Sequence, residues 1–281
     1  MELIFLKLGG SLITKKDKPF TENKKIIKQI AQEIHRARKK KPFRLLIGNG
    51  GGSYPHVPAK KYKTAQGIIN KESLKGIAEV QDAASRLNRI IVRALIDAGE
   101  NAISIQPSSI TLAKNSRIVE FYLKPLKMFL EKDMIPVVYG DVGLDLKQGG
   151  CIISTEELFV FLAKKLKPKR IISAGIVDGV FTADPLKDPK AKLIPEITSQ
   201  NYPKIKKMLA GSAGIDVTGG MLHKVERYLE LAVIGIHSQI INGAVKNRLK
   251  NALLDKKVKG TIIKYLKLSR SSKIVSIGVI I

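Results

Sequence analysis

The stretch FRLLIGNGGGSYPH, residues 43–56, decides how the rest of the chain reads. Phe43 to Ile47 is an apolar run of the length of a buried strand, and it stops at Gly48-Asn49-Gly50-Gly51-Gly52. Glycine loses more conformational freedom on folding than any other residue. Three in succession therefore mark either a flexible connector or a backbone that something must approach closely. In open α/β sheets, ligand crevices form where strands end in such turns. His56 follows the glycines by four residues.

The N-terminus repeats the arrangement, with LIFLKL (3–8) running into Gly9-Gly10-Ser11. Further out, apolar residues at helical spacing predict a helix over 22–40, through Ile26, Ile27, Ile30, Ala31 and Ile34. A long helix is predicted over 72–98, through Ile77, Val80, Ala84, Leu87, Ile91 and Leu95. Two more are predicted at PLKMFLEKD (125–133) and TEELFVFLAKKL (155–166). A third strand is predicted over 100–109, a fourth over MIPVVYGDVGLD (134–145) and a fifth over 169–181. KIVSIGVII (273–281) reads as a final strand. Strands alternating with helices predict an α/β fold: a three-layer α/β/α sandwich with a mainly parallel central sheet. The domain boundaries expected are 1–265, with lobes meeting near residue 165, and an extension over 266–281.

Composition bounds the classes. A chain of 281 residues with 44% hydrophobic and 26% charged residues is that of a soluble globular protein. No apolar run approaches the roughly 18–20 residues of a membrane span. Glu2 and Lys7 break up the N-terminal run, so it does not read as a secretory signal. The lone Cys151 excludes an internal disulfide and fits a reducing cytoplasm. The net charge of +26 is spread over KKDK, RARKKK, KKLKPKR, KIKK and DKKVK rather than gathered in one arm. That pattern reads as a solvated lysine-rich surface, not a nucleic-acid or membrane patch, and its field also steers small anions.

A third glycine pair lies in DVTGGMLHK (216–224), followed by Lys224. Lys7 precedes the first glycine turn and Lys16 follows it. No turn has the GxxxxGK[ST] or GxGxxG spacing. Three glycine loops, each carrying a cation on one parallel sheet, form a site for several phosphates. Backbone N–H groups and ammoniums are the donors such a cluster needs.

LKLGGSLIT, GGGSYPH, SIQPSS, VVYGDV, VDGVFTADP and IDVTGGMLHK occur in this order. Together they resemble the amino acid kinase superfamily and, within it, the archaeal isopentenyl phosphate kinase family. The resemblance covers roughly residues 1–265, and His56 is its most specific element, shared with the similar fosfomycin kinases. It implies an enzyme, usually a homodimer, that phosphorylates isopentenyl phosphate to isopentenyl diphosphate with ATP and Mg²⁺ in an alternative mevalonate pathway. By matching position, Lys7, Gly9, Gly10, Ser11, Gly52, Gly220 and Lys224 would hold the ATP phosphates. Ile176, Gly179, Phe181, Thr182, Ala183 and Asp184 would line the nucleotide. Gly51 and His56 would hold the acceptor phosphate, and Lys16 would reach the transferred group. Val80, Ala83, Ala84 and Leu87 on the long helix are candidates for the isoprenoid tail.

Three departures from the family pattern stand out. Ser154-Thr155-Glu156-Glu157 replaces SGDD, so a glutamate, Glu156 or Glu157, must orient the lysines, and Thr155 stands near the acceptor phosphate. Gly175-Ile176 replaces a polar pair beside the nucleotide, and Asn49 replaces a histidine before the glycines. No carboxylate dyad or zinc-spaced cluster is present in the sequence. Two other readings stay open. One is a kinase for fosfomycin or another alkyl phosphate or phosphonate. The other is a non-catalytic regulatory or nucleic-acid-binding protein on the same fold.

Overall fold

The computed structural model describes residues 1–211 and 217–266, with the side chains of 210–219 left aside. The beginning of the IDVTGGMLHK motif and the strand expected over 273–281 lie outside the described residues. In chain order the strands are β1 (Leu3–Leu8), β2 (Arg44–Asn49), β3 (Ala102–Ser104), β4 (Thr111–Lys114), β5 (Arg117–Phe121), β6 (Ile135–Tyr139) and β7 (Asp141–Asp145). They continue with β8 (Gly149–Ile153), β9 (Arg170–Gly175), β10 (Val180–Phe181), β11 (Leu193–Ile194), β12 (Glu196–Ile197), β13 (His237–Asn242) and β14 (Gly260–Ile263). The helices are α1 (Gly10–Ile13), α2 (Lys24–Lys40), α3 (His56–Lys61), α4 (Lys71–Asp97) and α5 (Lys124–Glu131). After them come α6 (Thr155–Leu166), α7 (Tyr202–Gly211), α8 (Val217–Val233) and α9 (Arg248–Leu253).

Eight strands form one sheet in the order β12-β14-β13-β9-β1-β2-β6-β3. Its centre, from β13 to β3, is parallel throughout; β14 runs against its neighbour β13, and β12 runs parallel to β14. The apolar strand runs follow from burial on both faces. In β1, Ile4, Leu6 and Leu8 pack into one core with α2, α4 and α9, while Phe5 packs into the other with α6 and α8. The sequence-predicted sandwich is the observed one.

Three strand expectations need correction. The predicted fourth strand is two: β6 stays in the main sheet, and β7 joins a separate four-stranded sheet, β5-β4-β7-β8. The break falls at Gly140, whose N–H continues the β2 ladder by donating to Asn49 O (3.0 Å). The next residue, Asp141, turns its carboxylate onto the Ser108 and Val142 N–H groups (3.0 and 2.9 Å). The third strand is only Ala102–Ser104, since Pro107–Ser109 is a 3₁₀ turn. The fifth ends at Gly175, and Val180–Phe181 pairs antiparallel with β11 instead.

The hairpin β4–β5 has no counterpart in the sequence reading. Its turn residues, Asn115 and Ser116, both have positive φ (53° and 59°), the pairing a tight hairpin requires. Neither is glycine, so the cost is offset locally. Asp145 accepts hydrogen bonds from the Asn115, Ser116, Lys147 and Gln148 N–H groups, at 2.7 to 3.3 Å.

Candidate active site

The C-terminal ends of β1, β2 and β9 lie side by side, with Lys7 opposite Gly48 and Ser173. Gly9 N–H donates to Ala174 O and Gly50 N–H to Leu8 O, both at 2.8 Å, so the first two glycine turns are laced to the sheet and to each other. A Cβ on Gly10 would stand 2.3 Å from the Gly52 nitrogen. Gly52 has φ +55°, and a Cβ there would stand 2.1 Å from Thr14 Oγ1. Two backbones in contact leave no room for side chains. Among the described residues, the Gly51 and Gly52 N–H groups donate to no protein acceptor.

Lys7 leaves the end of β1 almost fully buried, 5% exposed, and its ammonium donates to Glu156 Oε1. Glu156 sits in the first turn of α6, which Ser154 caps by accepting the Glu157 N–H (3.1 Å). Burial opposes charge on Glu156, yet the Lys7 and Lys224 ammoniums outweigh it and hold its carboxyl down to about 2. Lys224, half-buried on α8, is also lowered, but here the shift works against its charge: burial first, and Lys7 repulsion second, bring it down to about 8. Lys7 is paired with the carboxylate and Lys224 acts on it by charge alone, which leaves a positive charge for an anion to neutralise.

Glu157 points elsewhere. It accepts from Arg117 (3.0 Å), Arg227 (3.3 Å) and the Ile118 N–H (3.3 Å), so Glu156 is the glutamate that meets the lysines. Thr155 is buried, and its hydroxyl donates to Asn49 O (2.8 Å), tying α6 to the end of β2. Val80, Ala83, Ala84 and Leu87 are buried on α4, with Ala83 and Leu87 inside the core shared with α2.

His56 opens α3 and is exposed. Lys16 lies in the exposed 15–20 loop, and no hydrogen bond or ion pair among the described residues joins it to Lys7 or Glu156. That loop is anchored beside the glycines. Phe20 N–H donates to Ser53 O (3.1 Å), and the Phe20 ring meets Tyr54 edge-on at 5.8 Å, with the Arg86 guanidinium 5.3 Å over it.

Of the nucleotide-side residues, Ser11, Phe181, Thr182, Ala183 and Asp184 are half-buried, and Ile176 is 36% exposed. Thr182 Oγ1 accepts from Lys192 N–H (2.9 Å), and Asp184 from Leu186 N–H (3.0 Å). The turn before them is held by Asp178, paired with Arg248 and with Lys259 (2.8 Å). Gly179 fits against Thr261, whose Oγ1 a Cβ would meet at 2.4 Å. Gly175 and Gly220 differ: among the described residues, a Cβ on either would meet nothing within 4 Å.

Two groups at the site were not picked out from sequence. Asp141 is buried, and desolvation pushes its carboxyl up to about 6 against the two backbone hydrogen bonds it accepts. Asn88 is fully buried on α4 and bonded to Asn49. An asparagine interrupting the apolar stripe Leu87–Ile91 was the available signal. Among the described residues, no three His, Cys, Asp or Glu side chains cluster as metal ligands, and no helix is long and apolar enough to cross a membrane.

Glycine turns at the ends of parallel strands, with one buried lysine paired to a carboxylate and a second lysine acting on it by charge, are the features of a phosphate-handling α/β protein. The amino acid kinase family signature spans residues 2–242, and the chain belongs to that family. It is 38% identical over 269 residues to the isopentenyl phosphate kinase of Methanothermobacter thermautotrophicus, covering 93% of this chain and 98% of the relative. To the isopentenyl phosphate kinase of Methanocaldococcus jannaschii it is 36% identical over 272 residues, covering 94% and 99%. A crystallographic isopentenyl phosphate kinase superposes with a TM-score of 0.81 at 35% identity, over 93% of this chain and all of the other.

Proposed function

We propose that the chain transfers the γ-phosphoryl group of ATP to isopentenyl phosphate, releasing ADP and isopentenyl diphosphate. The observation that carries this reading is the Lys7–Glu156–Lys224 group set against glycine turns with unused N–H donors. The acceptor is the one for which the archaeal relatives are named. A phosphate monoester, with a second pKa of about 6, is mostly a dianion at neutral pH, so no general base is needed. An acceptor phosphate oxygen attacks the γ-phosphorus, and the bond to the β–γ bridging oxygen breaks. The protein's task is positioning and charge neutralisation.

In this reading Lys7 and Lys224 neutralise the charge that moves between the phosphates, and Glu156 holds them apart and aimed. Gly9, Gly10, Ser11, Gly52 and Gly220 receive the ATP phosphates, with Ile176 and the 179–184 segment beside the nucleotide. Gly51 and His56 receive the acceptor phosphate, and Lys16 reaches the group in transit. Mg²⁺ enters as part of the substrate MgATP, because Glu156 is already engaged by lysine and no carboxylate cage lines the site among the described residues. The acceptor belongs with residues 1–165, the nucleotide with 166–265, and the working form is a cytoplasmic homodimer.

The test is ADP release by the purified protein with MgATP and isopentenyl phosphate, run beside fosfomycin. Selective turnover of isopentenyl phosphate is the expected result. Turnover of fosfomycin alone, or of neither acceptor by protein that binds ATP, would overturn the assignment.

A further inference from the structure

Asn88 is fully buried between the apolar residues Leu87 and Ile91 of α4, and every polar atom of its side chain is engaged. Its amide nitrogen donates to Asn49 Oδ1 (2.9 Å) and Val137 O (3.3 Å), and its oxygen accepts from Ser104 Oγ (2.6 Å). A carbonyl can only accept, so Val137 fixes which way the amide faces. Asn49 carries the chain onward, donating its Nδ2 to Gly50 O (3.3 Å). The result is a buried line from the edge strand β3, through α4, to the first glycine of the run.

This line is not needed to satisfy the sheet. Val137 O already accepts the Ile105 N–H (3.0 Å), and a leucine at 88 would extend the stripe of Leu87, Ile91 and Leu95. A buried amide is costly unless fully partnered, so its presence calls for another role. The peptide plane supplies one. In a trans peptide the C=O and the following N–H point in opposite directions. Holding the Gly50 carbonyl on the Asn49 amide therefore aims the Gly51 N–H away from Asn49, and that N–H has no protein partner among the described residues.

We propose that Asn88 is a positioning residue which, acting through Asn49, aims the Gly51 N–H at the acceptor phosphate. The inference rests on reading the glycine run as the acceptor-phosphate site. Asn88 touches no substrate; it sets one donor of the cradle.

The test compares Asn88→Leu and Ser104→Ala with the wild type, in kinetics and in the amide spectrum of ¹⁵N-glycine-labelled protein. Asn88→Leu should lower kcat by about 10- to 100-fold, the scale of a displaced positioning group, and raise KM for isopentenyl phosphate. KM for ATP should stay within about twofold. Ser104→Ala, which removes only the outermost bond, should act in the same direction more weakly; it decides the matter if Asn88→Leu does not fold. The Gly51 signal should move when isopentenyl phosphate is added to the wild type and lose that response in the variants, while Gly220 keeps its response to MgATP. Wild-type kcat and KM in the variants would overturn the proposal. So would equal damage to both substrates with a lowered Tm, which assigns Asn88 to the fold alone. If the wild type does not phosphorylate isopentenyl phosphate, inorganic phosphate serves as the probe. A Gly51 shift present in the wild type and lost in Asn88→Leu then upholds this inference while the function reading falls. A wild-type Gly51 signal indifferent to phosphate overturns it.

Discussion

The phosphate site has a packed half and an open half, and glycine serves a different purpose in each. In the packed half, Gly10 and Gly52 face one another so closely that no Cβ fits. In the open half, no described residue stands where a side chain on Gly175 or Gly220 would go. Folding demands the first pair; nothing in the described protein demands the second. A glycine the fold does not need points to something outside the fold. Lys7 belongs to the packed side, Lys224 to the open side, and Glu156 lies between them.

The largest effect should come from cutting that link. Glu156→Ala leaves the buried Lys7 ammonium without its carboxylate, and losing one partner of a buried ion pair costs on the order of 3–5 kcal/mol. Glu156→Gln, which keeps the shape, should fold and lose about 10²-fold in kcat, read by steady-state kinetics with ATP saturating. Full activity in Glu156→Gln would mean the halves work independently.

Next comes the glycine contrast itself. Gly10→Ala forces a methyl onto the Gly52 backbone and should cost roughly 3 kcal/mol, with a Tm several degrees lower in calorimetry. Gly220→Ala should leave Tm unchanged or raise it, because alanine is the better helix former by about 1 kcal/mol. Its effect should appear in the KM for ATP instead. Equal Tm losses at both positions would erase the distinction between the halves.

The smallest effect is in pH. Lys224, brought down to about 8, is charged below that value and neutral above it. The KM for ATP should therefore rise as pH climbs from 7 to 9, by up to about tenfold, and Lys224→Arg should flatten the rise. In the ligand-free protein the sign reverses. Because folding lowers this pKa from an ordinary lysine's 10.5, Lys224 favours the folded state more as pH rises through 8. Glu156 acts at the acid end: its depressed carboxyl contributes stability above the usual 4.5, lost as pH falls toward about 2.

How far the sequence carried depended on the range of the forces involved. Alternating apolar runs and glycine turns are local signals, and they led to the sandwich, the long helix α4 and the first two glycine turns in their observed places; the third glycine pair, read as a loop, instead lies inside helix α8. The β4–β5 hairpin escaped because its turn has no glycine, and the compensating group, Asp145, lies 29 residues beyond Ser116. The break at Gly140 escaped because Val142 and Leu144 continue a strand-like pattern past it, and only pairing partners separate β6 from β7.

The same division holds at the site. Sequence alone determined the chemical inventory: lysines, glycines, one histidine after the third glycine, and two adjacent glutamates in place of aspartates. Tertiary structure decided which glutamate meets the lysines, because successive residues in the first turn of a helix project about 100° apart. It also decided that Thr155 spends its hydroxyl on the Asn49 carbonyl and that Asn88 reaches the glycine run. Those choices depend on contacts across 149, 106 and 39 residues of chain, and only the folded sheet brings such partners within hydrogen-bond reach.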